Sequence, residues 1–183
     1  MMKFLKTPLL ILCLALTLPL WGQKVKTRTA YVRFFSETPV ENIEAITEQA
    51  SSVIDLENGQ FAFLIPIKSF TFEKALMQEH FNENYMESAT YPNATFKGSI
   101  VDYAPLDLNE DGQYEAVMKG TMTIHGVDRP VEEPVTLVVN DGKLSLESDF
   151  TVKASDYQIK IPAAKKDNIS NELAVTVKAD YEA

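Results

Sequence analysis

Apolar and polar side chains alternate over long stretches of this chain. Between residues 114 and 125, Tyr114, Ala116, Met118, Gly120, Met122 and Ile124 fall on one face and Glu115, Val117, Lys119, Thr121, Thr123 and His125 on the other. That period of two marks a half-buried β-strand. The same split sets Leu144, Leu146, Phe150 and Val152 against Glu147, Asp149 and Lys153, and Leu173, Val175, Val177 and Tyr181 against Thr176, Lys178 and Asp180. Ala94, Phe96, Gly98 and Ile100 form a further inward set opposite Thr95, Lys97 and Ser99. Residues 61–72, which include Phe63 and Ile65, and residues 30–35 complete the clearer strands. The former run is long, carries Pro66 and shifts its apolar face near Ser69, which predicts a bend or bulge there. Asn58-Gly59, Asp111-Gly112 and Asp141-Gly142 place residues that tolerate positive φ between neighbouring runs, as antiparallel hairpins demand.

One stretch follows a different period. Between residues 73 and 86, Met77, Phe81 and Tyr85 recur at every fourth position with Leu76 beside them, predicting an amphipathic helix that joins two strands. Residues 41–50 fit either element: Ile43 and Ile46 suit a helix, whereas Ile43, Ala45 and Thr47 suit a strand. Many antiparallel strands with one helix predict an all-β fold, an eight-stranded antiparallel barrel whose apolar face lines the interior. An outer-membrane barrel reverses that pattern, while here Glu115, Lys119, Glu147, Asp149, Lys178 and Asp180 occupy the expected outer face.

The N-terminal residues stand apart from this pattern. Lys3 and Lys6 precede an apolar run over residues 9–21, the charged and hydrophobic regions of a secretory signal peptide, and the run is short for a membrane span. Residues 1–22 are read as a signal peptide and residues 23–183 as one barrel domain, which points to a periplasmic or secreted protein with no integral membrane insertion of the mature chain. Cys13, the only cysteine, lies in the leader and follows Leu12 rather than the small residue a lipidation site needs. The formal charge is −9; loss of two lysines and no acid takes it to −11. Such a chain lacks the positive charge that nucleic-acid binding requires. One Cys and two His cannot assemble a Cys-rich zinc site, and no cofactor is called for.

Several runs in fixed order carry a family resemblance. Ile67 to Phe72 reads IKSFTF, His80 to Met86 reads HFNENYM, Tyr91-Pro92 is followed by ATFKG ending at Gly98, and Gly120 to Val127 reads GTMTIHGV. Together they resemble the YceI-like family over roughly residues 29–181. The resemblance implies an exported protein with a lipocalin-like antiparallel barrel, some members of which bind polyisoprenoid or other long-chain amphiphiles in a central cavity. One stretch departs from the family pattern: where many members carry Arg-x-Asp-Phe-Gly, this chain has Lys153, Ala154, Ser155, Asp156, Tyr157 and Gln158, keeping the acid and an aromatic but lacking the arginine and glycine.

The residues also argue for a cavity on their own. Ala94, Gly98, Ala116 and Gly120 all fall on inward faces, where small side chains leave volume that an eight-stranded barrel can use for one small ligand. The expected ligand-binding residues are Phe63 and Ile65; Phe96 and Gly98; Tyr114, Ala116, Met118, Gly120 and Met122; Leu146 and Phe150; and Val175 and Val177. None is charged, so binding is expected to be hydrophobic, with any polar head at the barrel mouth. The expected partner is an amphiphilic or isoprenoid-like small molecule.

Other motifs are weaker. Asp107, Asn109, Asp111 and Gly112 match the first half of a calcium loop, but Met118 stands where the bidentate Glu belongs, so a polar turn is the simpler reading. His125 is read on the polar face at a turn, and His80 as capping or packing the helix. No nucleophile, base and orienting acid can be assembled, so an enzyme is not expected. Two readings remain open: an exported carrier or sequestering protein with a hollow barrel, and an exported interaction module with a filled barrel that binds through rim loops such as 104–113 or 162–170.

Overall fold

The computed structural model describes residues 24–105, 107 and 109–182; the expected signal segment lies outside them. The strands are β1 (Lys24–Ser36), β2 (Ile43–Asp55), β3 (Gln60–Pro66), β4 (Thr71–Phe72), β5 (Asn93–Ile100), β6 (Gly112–Ile124), β7 (Val127–Asn140), β8 (Lys143–Lys153) and β9 (Glu172–Asp180). Eight of them close a ring in the order β1-β9-β8-β7-β6-β5-β3-β2, with β2 returning to β1, and the two-residue β4 adds to β2 at the rim. Every pairing is antiparallel. This is the eight-stranded all-β barrel expected from the alternation.

The uncertain segment at 41–50 belongs to β2. Its inward residues Ala45, Thr47, Ala50 and Ser52 are buried but small or hydroxylic, so they give no strong apolar rhythm to read. The expected break near Ser69 is a 3-10 turn, Ile67–Ser69, which separates β3 from β4. The predicted helix is present as α1 (Ala75–His80), continued by a π-helical turn over Phe81–Tyr85. Met77, Phe81 and Tyr85 are half-buried as the spacing implies, whereas Leu76 points to solvent at 60% exposure. Among the described residues no helix is long and apolar enough to cross a membrane.

Two of the three expected turn pairs behave as turns. Asp141 and Gly142 take φ of +48° and +71° between β7 and β8, and Gly59 takes +69° between β2 and β3. Gly112 instead opens β6 as an ordinary strand residue after a longer connection. The β6–β7 hairpin turns at His125 and Gly126, with φ of +51° and +72°.

The longest strand, β7, is the least visible in the sequence because it contains Pro130 and Pro134. Proline removes a ladder donor and is confined to strand edges. The register satisfies that rule: β7 pairs with β6 along its whole length but with β8 only from Thr136 to Asn140, so residues 127–135 have one free edge. A short turn, Ala154–Tyr157, covers this seam; Arg129 Nε donates to the Asp156 carbonyl at 2.8 Å and Ser148 Oγ donates to the Pro134 carbonyl.

At one end the barrel is filled. Val25, Ile54, Leu137, Val139, Leu144 and Tyr181 are all buried there, and the Tyr181 hydroxyl bonds Ser52 Oγ at 2.8 Å. Burial raises the pKa of the Tyr181 hydroxyl well above the usual phenol range. At the seam, burial, with the Glu133 and Asp156 carboxylates adding to it, pushes Tyr157 up to about 12. Both native phenols therefore hold their protons where the unfolded chain loses them, above pH 10. Their contribution is fully present below pH 10 and falls as pH rises toward 12 and beyond. Equilibrium unfolding against pH is expected to show stability dropping above pH 10, with a shallower drop in the Tyr157→Phe, Tyr181→Phe double variant; equal slopes would contradict the assignment.

Candidate functional site: a hollow half-barrel

The opposite half of the barrel is hollow. A cavity of about 160 Å³ is walled by Val32 and Phe34 of β1, Phe63 and Ile65 of β3, Ala94 and Phe96 of β5, Met118, Met122 and Ile124 of β6, Leu146, Phe150 and Val152 of β8, and Leu173, Val175 and Val177 of β9. Ile67, Phe70, Phe81, Met86, Ala154 and Ile159 close it from the cap. Thr95 and Ser148 supply the lining hydroxyls, and that of Ser148 is engaged with the Pro134 carbonyl. A wall of this kind has no means of holding an ion and binds by excluding water from apolar surface.

A phenylalanine cluster marks the upper boundary. Phe81 stacks on Phe34 with centroids 5.3 Å apart, and meets Phe70 at 5.8 Å and Phe72 at 5.0 Å. Beyond it, a second chamber of about 170 Å³ shares Phe34, Phe81, Met86, Ala154, Ile159 and Leu173 with the first. Its remaining wall is mixed: Ile43, Phe72, Met77, Tyr85, Ile161 and Ile169 keep it largely apolar, and Ser36, Glu41, His80, Lys165, Asn168 and Ser170 add polar groups. Together the chambers reach the lower end of the ~300–1,000 Å³ range of small-molecule sites.

Of the residues named from the sequence, Phe63, Ile65, Phe96, Met118, Met122, Leu146, Phe150, Val175 and Val177 line the cavity. Tyr114 and Ala116 share the inward face of β6 but do not line it; Tyr114 sits opposite Leu137 and packs against the filled core. Gly98 and Gly120 also stay outside the lining, for a different reason. They face each other across the β5–β6 ladder, and a Cβ on Gly120 would lie 2.1 Å from the Lys97 carbonyl oxygen, one on Gly98 2.0 Å from that of Lys119. These glycines let two strands approach each other; the space an absent side chain leaves is taken by backbone, not by cavity.

Sequence reasoning missed the cap. Phe81 was visible on the helix face, but nothing local says that Phe70, Met86 and Ile159 converge over a barrel end. His125 is also differently placed from the reading on the polar face. Its side chain is 11% exposed, with Nε2 2.8 Å from Glu87 Oε2, Nδ1 3.3 Å from the Tyr157 carbonyl and the ring edge-on to Tyr91. It ties the β6–β7 hairpin to the cap and to the seam turn. His80 ends α1 and lines the second chamber. In the former calcium-like stretch, Asp107 Oδ1 accepts bonds from the Asn109 backbone N at 2.9 Å and Nδ2 at 2.8 Å, which lower its pKa below the usual carboxylate value; the arrangement is a polar turn.

The departure from the family motif has a structural consequence. Gln158 caps the seam turn at φ +58°, a conformation that favours glycine. Gln158→Gly is expected to stabilise the protein by about 0.5–1 kcal/mol by urea unfolding, and a destabilisation would show that the glutamine side chain makes an offsetting contact. Ala154, two residues before Asp156, lines both chambers.

Comparison with known proteins agrees with this geometry. The YceI-like domain model matches residues 24–181, and no curated protein gives a significant match. Among solved structures, a polyisoprenoid binding domain from Saccharophagus degradans implicated in plant cell wall breakdown superposes with a TM-score of 0.72 at 18% identity, covering 88% of this chain and 98% of that one. BcnA of Burkholderia cenocepacia gives 0.70 at 18% identity, covering 84% and 96%. The YCEI protein of Campylobacter jejuni gives 0.60 at 20%, covering 80% and 89%. At these identities the structures share the fold, and the family model, matched across nearly all the described residues, supplies the assignment: this chain belongs to the YceI-like domain family.

Proposed function

We propose that the protein is an exported, non-enzymatic carrier or sequestering protein for a long-chain apolar or isoprenoid-like molecule, acting in the periplasm or outside the cell. The observation that carries this reading is the division of one closed barrel into a packed end and a hollow end whose walls are almost wholly carbon. A hollow half favours a carrier over an interaction module with a filled barrel. The similar Saccharophagus degradans structure is a polyisoprenoid binding domain, which supports the isoprenoid-like choice of tail.

Magnitudes are adequate. Each buried methylene contributes about 0.8 kcal/mol, so ten buried carbons give roughly 8 kcal/mol gross, which is on the order of micromolar affinity before ordering costs. The test is a titration with straight-chain alcohols of increasing length. Affinity should rise about fourfold per methylene and then level off once the chambers are full. Absence of binding at every length, in a folded protein, would overturn the reading.

A further inference from the structure

We propose that the second chamber is a head-group site for an anion, so that the natural ligand is a long-chain carboxylate or phosphate rather than a neutral lipid. The inference rests on the carrier reading above and adds the chemistry of the ligand's polar end. Polarity along the connected chambers runs one way. The deep chamber is apolar, and past the Phe34 and Phe81 boundary the wall gains Ser36, Glu41, His80, Lys165, Asn168 and Ser170. That gradient favours an amphiphile lying tail inward, with its head among these groups.

The charges in that chamber decide the sign of the head. Glu41 is already satisfied: Lys74 Nζ lies 3.1 Å from its Oε1. Ser36 Oγ accepts a bond from the Ser170 backbone N at 2.9 Å. Lys165, the lysine of this lining, has no carboxylate within ion-pair distance among the described residues, whereas Glu41 of the same lining is paired. The adjoining groove is balanced, with Lys160 and Lys166 against Glu37 and Asp167, so it does not cancel that charge. Lys165 and Asn168 both line this chamber and bring N–H donors to the end where an apolar tail would deliver a head. Charge-assisted hydrogen bonds to carboxylate or phosphate are the strong ones.

The test uses one chain with two heads, dodecyl phosphate and dodecanol, titrated into the mature protein and into Lys165→Gln and Lys165→Arg. The phosphate is expected to bind on the order of tenfold more tightly than the alcohol. Lys165→Gln should weaken the phosphate far more than the alcohol and so remove most of that difference, Lys165→Arg should keep it, and inorganic phosphate alone should not displace the bound alkyl phosphate. Equal binding of both heads to the wild type would overturn the head-group site and leave the carrier reading standing. Binding of neither would overturn the carrier reading itself, and displacement by inorganic phosphate would make Lys165 part of a free-anion site.

Discussion

Gly120→Ala is expected to abolish folding or to cost about 3 kcal/mol or more, the upper range for overpacking. The added Cβ would sit 2.1 Å from the Lys97 carbonyl oxygen and 2.8 Å from the Gly98 Cα. Both obstacles are backbone in the β5–β6 ladder, so no rotamer change can relieve them, and moving β5 disturbs its pairing with β3 as well. Gly98→Ala should behave the same way, with its Cβ 2.0 Å from the Lys119 carbonyl oxygen. Gly112→Ala is the control: its φ is ordinary and its nearest neighbour is the Tyr114 hydroxyl at 3.1 Å, the far end of a movable side chain. Urea unfolding should show that variant within about 1 kcal/mol of wild type. A Gly120→Ala protein as stable as Gly112→Ala would mean that the two strands are not held as close as the ladder implies.

Ala94→Phe is expected to leave a folded barrel that no longer takes up long chains. Ala94 is a small residue of the cavity wall, opposite Ile65 on β3 and on the inward face shared with Phe96. A ring there would occupy the space of about four methylenes of ligand. Losing their burial costs about 3 kcal/mol, on the order of a hundredfold in affinity. Thermal unfolding checks the fold and probe titration checks uptake. Unchanged uptake in the folded variant would place the ligand elsewhere.

Much of this architecture was legible because one inward face repeats along every strong strand. The series Met118, Met122, Leu146, Phe150, Val175 and Val177 reads as period two in the sequence and lines one cavity in the structure. What alternation cannot say is how far along a strand the cavity extends. Tyr114 and Met118 lie on the same face of the same strand, yet one packs in the filled half and the other lines the hollow half, a difference set by distant partners such as Leu137 and Tyr181. The glycines misled for a related reason: a missing side chain reads as empty space in sequence, whereas the chain can use it for close strand approach. Strand β7 was hidden by two prolines that only the unpaired edge beside β8 makes tolerable, and β2 by inward residues too small to give a rhythm.

The most direct test of the central claim is native mass spectrometry of the mature protein purified from a native-like host, repeated after organic extraction. A stoichiometric long-chain adduct is expected, one that extraction removes and that the folded Ala94→Phe variant lacks. A wild-type protein that emerges empty, and that stays empty when offered fatty-acid and isoprenoid probes, would contradict it.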